Sequence, residues 1–299
     1  MEEIYNNIPT WDNGQWTVTD FESRELFSNF IFSIFKEPGK YNFNEISLLF
    51  NQQGELFREN KVYCTAPFKS KDFINYWDDQ KLKCRKGIIF KSKDGTWFIT
   101  RDYYMWLNFL PIFDKEQQKF DFAKIRDAQY HMALYELLAE LNYKHVAILK
   151  KRQIASSYFH ISKLLNQLWF ESGVTLKMGA SLKDYINEKG SWKFLSEYAA
   201  FLNEHTAWYR PMSPDKVLMW QQKIEVRKGD RKNRSGFKKV LCKVCLLKKI
   251  QQNGVGGPVK YFFHEEAGIA PKMDKTYEYM RPAMRSGLMT TGLLLLQDL

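Results

Sequence analysis

The chain has few of the residues that build covalent or metal-bound frameworks. Its 299 residues include four cysteines, of which Cys64 and Cys84 are isolated. Cys242 and Cys245 form one CxxC inside the apolar segment KKVLCKVCLLKK. This spacing excludes a disulfide framework and favours packing within a strand over zinc binding. The five histidines show no paired ligand spacing either, so no metal site of the zinc type is predicted.

Long apolar runs are also missing. No stretch approaches the roughly 18 apolar residues of a membrane span, and the N-terminal MEEIYNN is acidic and lacks the apolar core of a signal peptide. We therefore expect a soluble, reduced protein of cytoplasmic type with no membrane partner. The sequence contains no internal repeat and no low-complexity segment.

Positive charge is concentrated in one segment. The net charge is +11, and residues 223–249 alone carry eleven Lys or Arg and two acids, a balance of +9. One basic segment on a nearly neutral body favours a polyanionic partner, above all nucleic acid. A solvated β-hairpin with lysines guarding its edges explains the same pattern, and both interpretations stay open.

The stretch HVAILKKRQIASSYF, residues 145–159, predicts a strand, a basic turn and a helix. Residues 145–149 form an almost continuous apolar run, which predicts a strand buried on both faces. After Ser157 apolar residues recur at helical spacing, at Ile161, Leu164, Leu165 and Leu168. The turn between them, residues 150–157, lies where the free N–H groups of a helix N-terminus bind phosphate.

This turn departs from the common P-loop pattern G-x-x-x-x-G-K-[ST]. Ala155 stands in place of the second glycine, Ser156 in place of the lysine, and Ser157 in place of the hydroxyl that binds Mg²⁺. The lysines lie upstream, at Lys150 and Lys151. An ordinary strand-to-helix turn with solvated charges is the alternative interpretation.

A second apolar stretch, VKYFFHEEAG at residues 259–268, predicts a strand that ends in Glu265 and Glu266. A P-loop enzyme needs one carboxylate near Mg²⁺ and another that polarises the attacking water. We expect the pair at the C-terminal end of a parallel strand neighbouring the phosphate strand, in the same crevice. Glu265 would take the metal role and Glu266 the water role. A solvated pair that caps a strand is the alternative.

The remaining pattern alternates between helical and strand segments. Residues 87–99 carry a hairpin signal at Asp94-Gly95, and residues 101–114 are dense in aromatics that we expect in a helix cap buried against the core. Apolar periodicity predicts a helix over 124–142, where Gln129 presents a donor and an acceptor suited to an adenine edge, or is simply solvated. The other predicted elements are a strand at 173–178, a helix at 181–207, a hairpin at 217–226 and 237–247, a helix at 276–285 and a strand at 288–296.

Together these motifs resemble the ATPase portion of the large subunit of tailed-phage terminases, the motors that package DNA. The matching segments lie within residues 95–292 and are WFITRDYYMWLNFLPI, RDAQY, LKKRQIASSY and GVGGPVKYFFHEEAG. The resemblance implies an α/β P-loop NTPase of the RecA/ASCE type, with a mostly parallel sheet flanked by helices. Residues 1–115 would form a mixed α/β, aromatic-rich subdomain, and residues 116–299 the ATPase core.

The resemblance also implies the composition of the site. ATP and Mg²⁺ would be the cofactors, with Ser157 and Glu265 on the metal and Glu266 on the attacking water. The implied nucleotide contacts are Lys150 or Lys151 as the displaced phosphate lysine, Arg152 on the γ-phosphate, Gln153, Ala155 and Ser156 along the loop, and Gln129 on adenine. Double-stranded DNA, the phage portal or prohead and the small terminase subunit would be the partners of a ring-shaped homo-oligomer in the host cytoplasm.

The sequence departs from the family at three points. Ala155 replaces a usual glycine, and Glu265 stands where many relatives carry Asp. The chain ends in TTGLLLLQDL, so that Thr290, Thr291 and Gly292 precede the last strand, whereas the coupling motif of the family follows it. No room remains for a nuclease domain, and we therefore expect a C-terminally truncated product. A helicase-like DNA-stimulated ATPase and an inactive nucleic-acid-binding protein are the alternatives.

Overall fold

The core of the fold is one sheet that is mostly parallel. A computed structural model of the chain describes residues 4–5, 8–12, 15–17, 21–37, 40–114, 118–150, 154–171, 174–180, 182, 190–210, 212–213, 219–224, 240–247, 259–270, 273–286, 289–290 and 292–298. The strands in this part are β1 (Trp11–Asp12), β2 (Gln15–Trp16), β3 (Ile88–Ser92), β4 (Gly95–Ile99), β5 (Ile112–Asp114), β6 (Lys119–Asp121), β7 (Val146–Leu149), β8 (Leu176–Ala180), β9 (Met212–Ser213), β10 (Met219–Ile224), β11 (Val240–Leu247), β12 (Tyr261–Glu265), β13 (Arg285–Ser286), β14 (Met289–Thr290) and β15 (Leu293–Asp298).

Seven of these strands form the central sheet, in the order β7-β15-β12-β8-β11-β10-β9. The pairings from β7 through β11 are parallel, and β10 and β9 continue the sheet in antiparallel register. The strands β3–β4, β5–β6, β1–β2 and β13–β14 form separate two-stranded ribbons. The predicted α/β class with a mostly parallel sheet is confirmed.

Helices cover this sheet. Those in the described residues are α1 (Phe21–Ser33), α2 (Phe43–Phe50), α3 (Gln52–Asn60), α4 (Lys71–Lys86), α5 (Arg101–Phe109), α6 (Asp127–Leu141), α7 (Ser156–Phe170), α8 (Ser191–His205) and α9 (Met273–Met280). Short 3₁₀ turns follow β12 and α9, at Ala267–Ile269 and Pro282–Met284. None of the helices in these ranges combines the length and apolar character needed to cross a bilayer.

The two faces of β12 show how the helices sandwich the sheet. Side chains alternate along a strand, and Phe263 packs its ring 4.9 Å from that of His160 in α7. On the other face Phe262 belongs to a small apolar cluster with Met280 and Met284, around the end of α9. The central strand β12 is therefore buried on both sides, which is typical of a parallel strand covered by helices.

The phosphate strand β7 behaves differently from its prediction. It lies at the edge of the described sheet and pairs with β15. Val146 is buried, but Ala147 is exposed and Leu149 is 86% exposed. The expectation of a strand buried on both faces is wrong. An apolar run does not reveal whether a strand lies in the centre of a sheet or at its edge, and β7 lies at the edge of the described sheet.

Most predicted elements lie close to their expected places. The hairpins 87–99 and 217–247 are β3–β4 and β10–β11, and the predicted helix 124–142 is α6. All nine residues of α5 are buried, so residues 101–109 of the aromatic segment 101–114 form a core helix, and residues 112–114 form β5. The predicted strand 288–296 is divided between β14 and β15. The predicted helix 276–285 begins earlier, at Met273, and ends in a 3₁₀ turn.

Gly292 has a packing role at the start of β15. A Cβ at this position would overlap the carbonyl oxygen of Val259 and crowd the side chain of Met284. Its N–H donates to the carbonyl oxygen of Met284 at 3.0 Å. A glycine is therefore required where the chain crosses the entrance of β12.

A buried ionic cluster ties α5, α6, α7 and β12 together. The Glu136 carboxylate accepts from His160 Nε2 at 2.7 Å and from Lys163 Nζ at 2.9 Å. The Glu140 carboxylate accepts from the Tyr261 hydroxyl at 2.5 Å and lies 2.8 Å from Lys260 Nζ. The cluster fixes α6, α7 and β12 relative to one another, and α7 and β12 carry residues of the candidate site.

Three predictions reach beyond the described residues. The side chains of the basic segment 223–249 and those of Cys242 and Cys245 lie outside them, as do Lys151, Arg152 and Gln153. The division of the chain near residue 115 stays a prediction, and one cluster of buried apolar residues extends from Ile8 to Leu295.

Candidate functional site

Two places far apart in the sequence meet at the C-terminal edge of the parallel strands. The Ser157 hydroxyl donates a 2.6 Å hydrogen bond to Glu265 Oε1 across 108 residues of chain. Ser157 is the second residue of α7, and Glu265 is the last residue of β12. Ser157 at the end of the basic turn and Glu265 of the acidic pair therefore lie side by side, at the edge where the sequence leads us to expect them.

The strands that carry these residues are not direct neighbours. β15 lies between β7 and β12, so the expectation of neighbouring strands is wrong in this detail. Two strand spacings amount to about 10 Å. The first turn of α7 crosses this distance, since Ser157 contacts Glu265 directly.

Ser191 is a member of the site that the sequence does not reveal. It is the first residue of α8 and is 1% exposed. Its hydroxyl donates a hydrogen bond to Glu265 Oε2. The two carboxylate oxygens are thus held by two serines, each at the N-terminus of a helix of 15 residues. The positive ends of two helix dipoles converge on one negative group.

Burial raises the pKa of the Glu265 carboxyl, and the nearby Glu266 raises it further. The hydrogen bonds from Ser157 and Ser191 favour the ionised form and offset part of this increase. A partly dehydrated carboxylate with a like charge beside it is well suited to a cation, since a bound cation would remove the cost of ionisation.

Glu266 has an unusual backbone and an unsatisfied oxygen. It follows β12 in the left-handed region, at φ 54° and ψ 49°. Its Oε2 is buried without a hydrogen-bond partner among the described residues. Strained backbone and unsatisfied polar atoms concentrate at functional sites. This oxygen can accept a hydrogen bond from a ligand or from water.

Ala155 has the same unusual conformation across the crevice. It precedes α7 at φ 56° and ψ 24°, a region that favours glycine. The common P-loop pattern has glycine at this position, and glycine adopts such a left-handed conformation without strain. In this chain the left-handed conformation is present although the residue is alanine. Ala155 and Glu266 are two of six non-glycine residues with positive φ in the described part of the chain.

Of the other residues predicted to contact the nucleotide, Ser156 and Gln129 are buried and Lys150 is partly exposed. Ser156, at the position of the usual lysine, is 2% exposed. Gln129 is also 2% exposed, and both ends of its amide already have protein partners. Lys150 follows β7 and is partly exposed, so it is the described lysine that remains available to a phosphate at this turn. His264 shares the face of Phe262, opposite Glu265, which agrees with a packing role.

The side chains at the crevice fit Mg²⁺ better than a softer metal. Hydroxyl and carboxylate oxygens are the ligands that Mg²⁺ prefers, and it usually takes one or two from the protein and others from phosphate and water. Within the described residues no group of three or more His, Cys, Asp or Glu could hold a metal by itself. Ser157 and Glu265 offer one hydroxyl and one carboxylate, both of which are oxygen ligands of the kind that Mg²⁺ prefers.

Solved structures similar to this chain include the ATPase domain of the large terminase of Thermus phage P74-26, in its unmodified form and as a mutant. The TM-scores are 0.40 and 0.41, the identity is 17% in both cases, and the alignments cover 52% of this chain. This chain spans 59% of the length of those domains. No protein-family model matches the sequence, and no curated protein is significantly similar to it. The similar structures come from the family that the sequence motifs resemble.

Replacing Glu265 with glutamine should stabilise the protein. Because the pKa of Glu265 is raised in the folded state, its stabilising contribution is present below its unfolded pKa and is lost as the pH rises through the folded value. The neutral amide avoids this cost at pH 7, so we expect a higher melting temperature, by about 2–4 °C per kcal/mol of relief. The same change should weaken any stabilisation of the protein by Mg²⁺–ATP. A less stable variant that Mg²⁺–ATP stabilises as strongly as it does the wild type would contradict both statements.

Proposed function

We propose that this chain is the ATP-hydrolysing motor portion of a phage terminase large subunit, which couples Mg²⁺-dependent ATP hydrolysis to movement of double-stranded DNA into a prohead. The observation that supports this most strongly is the contact between Ser157 and Glu265. It joins a hydroxyl at the start of a helix to a carboxylate at the end of a parallel strand, and this pairing is what phosphoryl transfer requires.

In this proposal the residues around Ser157 and Glu265 have separate roles toward the metal and the phosphates. Ser157 and Glu265 would hold Mg²⁺, and Ser191 keeps Glu265 oriented. Lys150 or Lys151 and Arg152 would neutralise phosphate oxygens, and Gln153, Ala155 and Ser156 would complete the phosphate-binding loop. Bound Mg²⁺ would neutralise charge that develops on the phosphates during transfer.

Glu266 acts on the attacking water. Its buried Oε2 has no partner among the described residues, so it is free to accept a hydrogen bond from that water and orient it. The left-handed backbone at Glu266 ends the extended course of β12, a conformation that costs about 1–3 kcal/mol and is typical of functional sites.

The basic segment 223–249 would contact the DNA backbone. Such contacts are independent of sequence and suit a protein that moves along DNA. The portal or prohead, the small terminase subunit and further copies of the chain in a ring complete the proposed machine. A helicase-like ATPase would share the site but would not associate with a portal.

The test is a comparison of nucleotide binding and turnover in the wild-type chain and in Ser157→Ala. Wild type should bind ATP more tightly with Mg²⁺ than without it and should hydrolyse it faster when double-stranded DNA is added. Ser157→Ala should lose about tenfold or more of the Mg²⁺-dependent affinity, the loss of one charge-assisted bond.

Ser162→Ala is the matched control, because Ser162 is a buried serine of the same helix whose hydroxyl donates to the carbonyl oxygen of Asp102. It should lose stability but keep its nucleotide affinity. A wild-type chain that binds ATP equally with and without Mg²⁺, or not at all, would contradict the proposal and favour an inactive nucleic-acid-binding protein.

A further inference from the structure

Gln129 makes a direct contact with the loop that precedes α7. Its Nε2 donates a 2.6 Å hydrogen bond to the carbonyl oxygen of Ile154. Ile154 immediately precedes Ala155, the residue in the left-handed conformation from which α7 starts. The contact therefore fixes the peptide group directly before the turn that directs Ser157 toward Glu265.

The other end of the Gln129 amide is fixed as well. Its Oε1 accepts from the Tyr103 hydroxyl at 3.3 Å, and the Tyr103 hydroxyl oxygen accepts from the N–H of Arg126 at 3.2 Å. Tyr103 is completely buried in α5. The amide cannot rotate without losing one of these bonds, and in the buried environment each lost bond leaves a polar atom unsatisfied.

We propose that Gln129 is a positioning residue for the phosphate-binding turn: it fastens the Ile154 peptide to α6, with Tyr103 holding its amide in place. This inference rests on the proposed nucleotide site. It differs from the contact that the family resemblance implies, in which Gln129 would bind adenine. An amide that is 2% exposed and bonded at both ends has no free edge to offer a base.

The two roles make opposite predictions about ligand specificity. A residue that binds adenine changes affinity for ATP but not for a ligand without that base. A residue that pre-organises the turn changes affinity for every triphosphate by the same factor, because the loop must be ordered for any of them.

The experiment measures the affinities of wild type, Gln129→Leu and Tyr103→Phe for ATP, GTP and inorganic tripolyphosphate, each with Mg²⁺. We expect Gln129→Leu to weaken all three by a similar factor of about ten, the effect of one buried hydrogen bond. Tyr103→Phe should weaken all three by a smaller, equal factor. A loss confined to ATP, with tripolyphosphate unaffected, would overturn the proposal in favour of adenine recognition.

Gln80→Leu is the matched control. Gln80 is also a buried glutamine that accepts from a tyrosine hydroxyl, Tyr104 at 2.6 Å, but it lies on α4. It should lose stability without a change in nucleotide affinity. An equal loss in Gln80→Leu and Gln129→Leu would mean that the effect is general destabilisation, and would overturn the proposal.

Hydrogen exchange of the amides at residues 154–157 gives a readout that needs no nucleotide. Exchange there should be faster in Gln129→Leu and unchanged in Gln80→Leu. If wild type binds no Mg²⁺–ATP, the proposed function fails, and the exchange rates alone decide whether Gln129 holds the turn. Unchanged exchange in Gln129→Leu would overturn the positioning role by itself.

Discussion

Replacing Glu266 with glutamine should lower the rate of ATP hydrolysis by about 10²–10⁴-fold, the range for loss of a group that acts as general base. The affinity for Mg²⁺–ATP should stay nearly unchanged, because the proposed metal ligands Glu265 and Ser157 are left intact. The physical reason is the buried Oε2, which is poised to accept a hydrogen bond and becomes a donor in about half of the amide orientations. Turnover and binding are measured separately, by a phosphate-release assay and by calorimetry.

The matched control is Glu59→Gln, at an exposed glutamate near the end of α3. It makes the same chemical change outside the crevice and should leave both turnover and affinity at wild-type values. Unchanged turnover in Glu266→Gln would remove the water-orienting role. A parallel loss of affinity would instead place Glu266 among the metal or phosphate contacts.

The meeting of the turn with the acidic pair follows from local sequence and one topological rule. The apolar runs before Lys150 and Glu265 predict strands, and the carboxyl ends of parallel strands share an edge. Neither run carries information on sheet order. The strand β15 that separates them comes last in the chain, and its position depends on packing between residues far apart in sequence.

Single polar residues were the hardest to predict. Ser191 lies in GSWKF, where nothing local distinguishes it from a helix-capping serine, and only the fold brings it to Glu265. The burial of Gln129 is equally hard to predict, since a glutamine on a helix is usually solvated. Its burial results from α5, whose nine residues all lie inside the protein. Tyr103 of that helix donates a hydrogen bond to Gln129 Oε1, which offsets the free-energy cost of burying the amide.

Replacing Glu140 with glutamine should produce the largest loss of stability, about 3–5 kcal/mol, because it leaves buried cations without their shared carboxylate. Burial alone would raise the pKa of Glu140, but Lys260, Arg101 and Lys163 together lower it to about 2. The lowered pKa means that the contribution is present above the unfolded value of 4.5 and is lost as the pH falls through about 2. Urea unfolding at pH 7 and at a series of lower pH values measures both effects.

Lys260→Met removes the cationic partner of the buried Lys260–Glu140 ion pair. Burial lowers the pKa of Lys260 to about 8, and Glu140 offsets only part of this decrease, so the lysine opposes folding at neutral pH while Glu140 favours it. Glu140 gains more because it faces several cations, whereas Lys260 is also repelled by Arg101. We therefore expect Lys260→Met to cost clearly less than Glu140→Gln. In Glu140→Gln the free energy of unfolding should also depend less on pH below about 4.5. Equal losses of unfolding free energy in the two variants would contradict the expected difference.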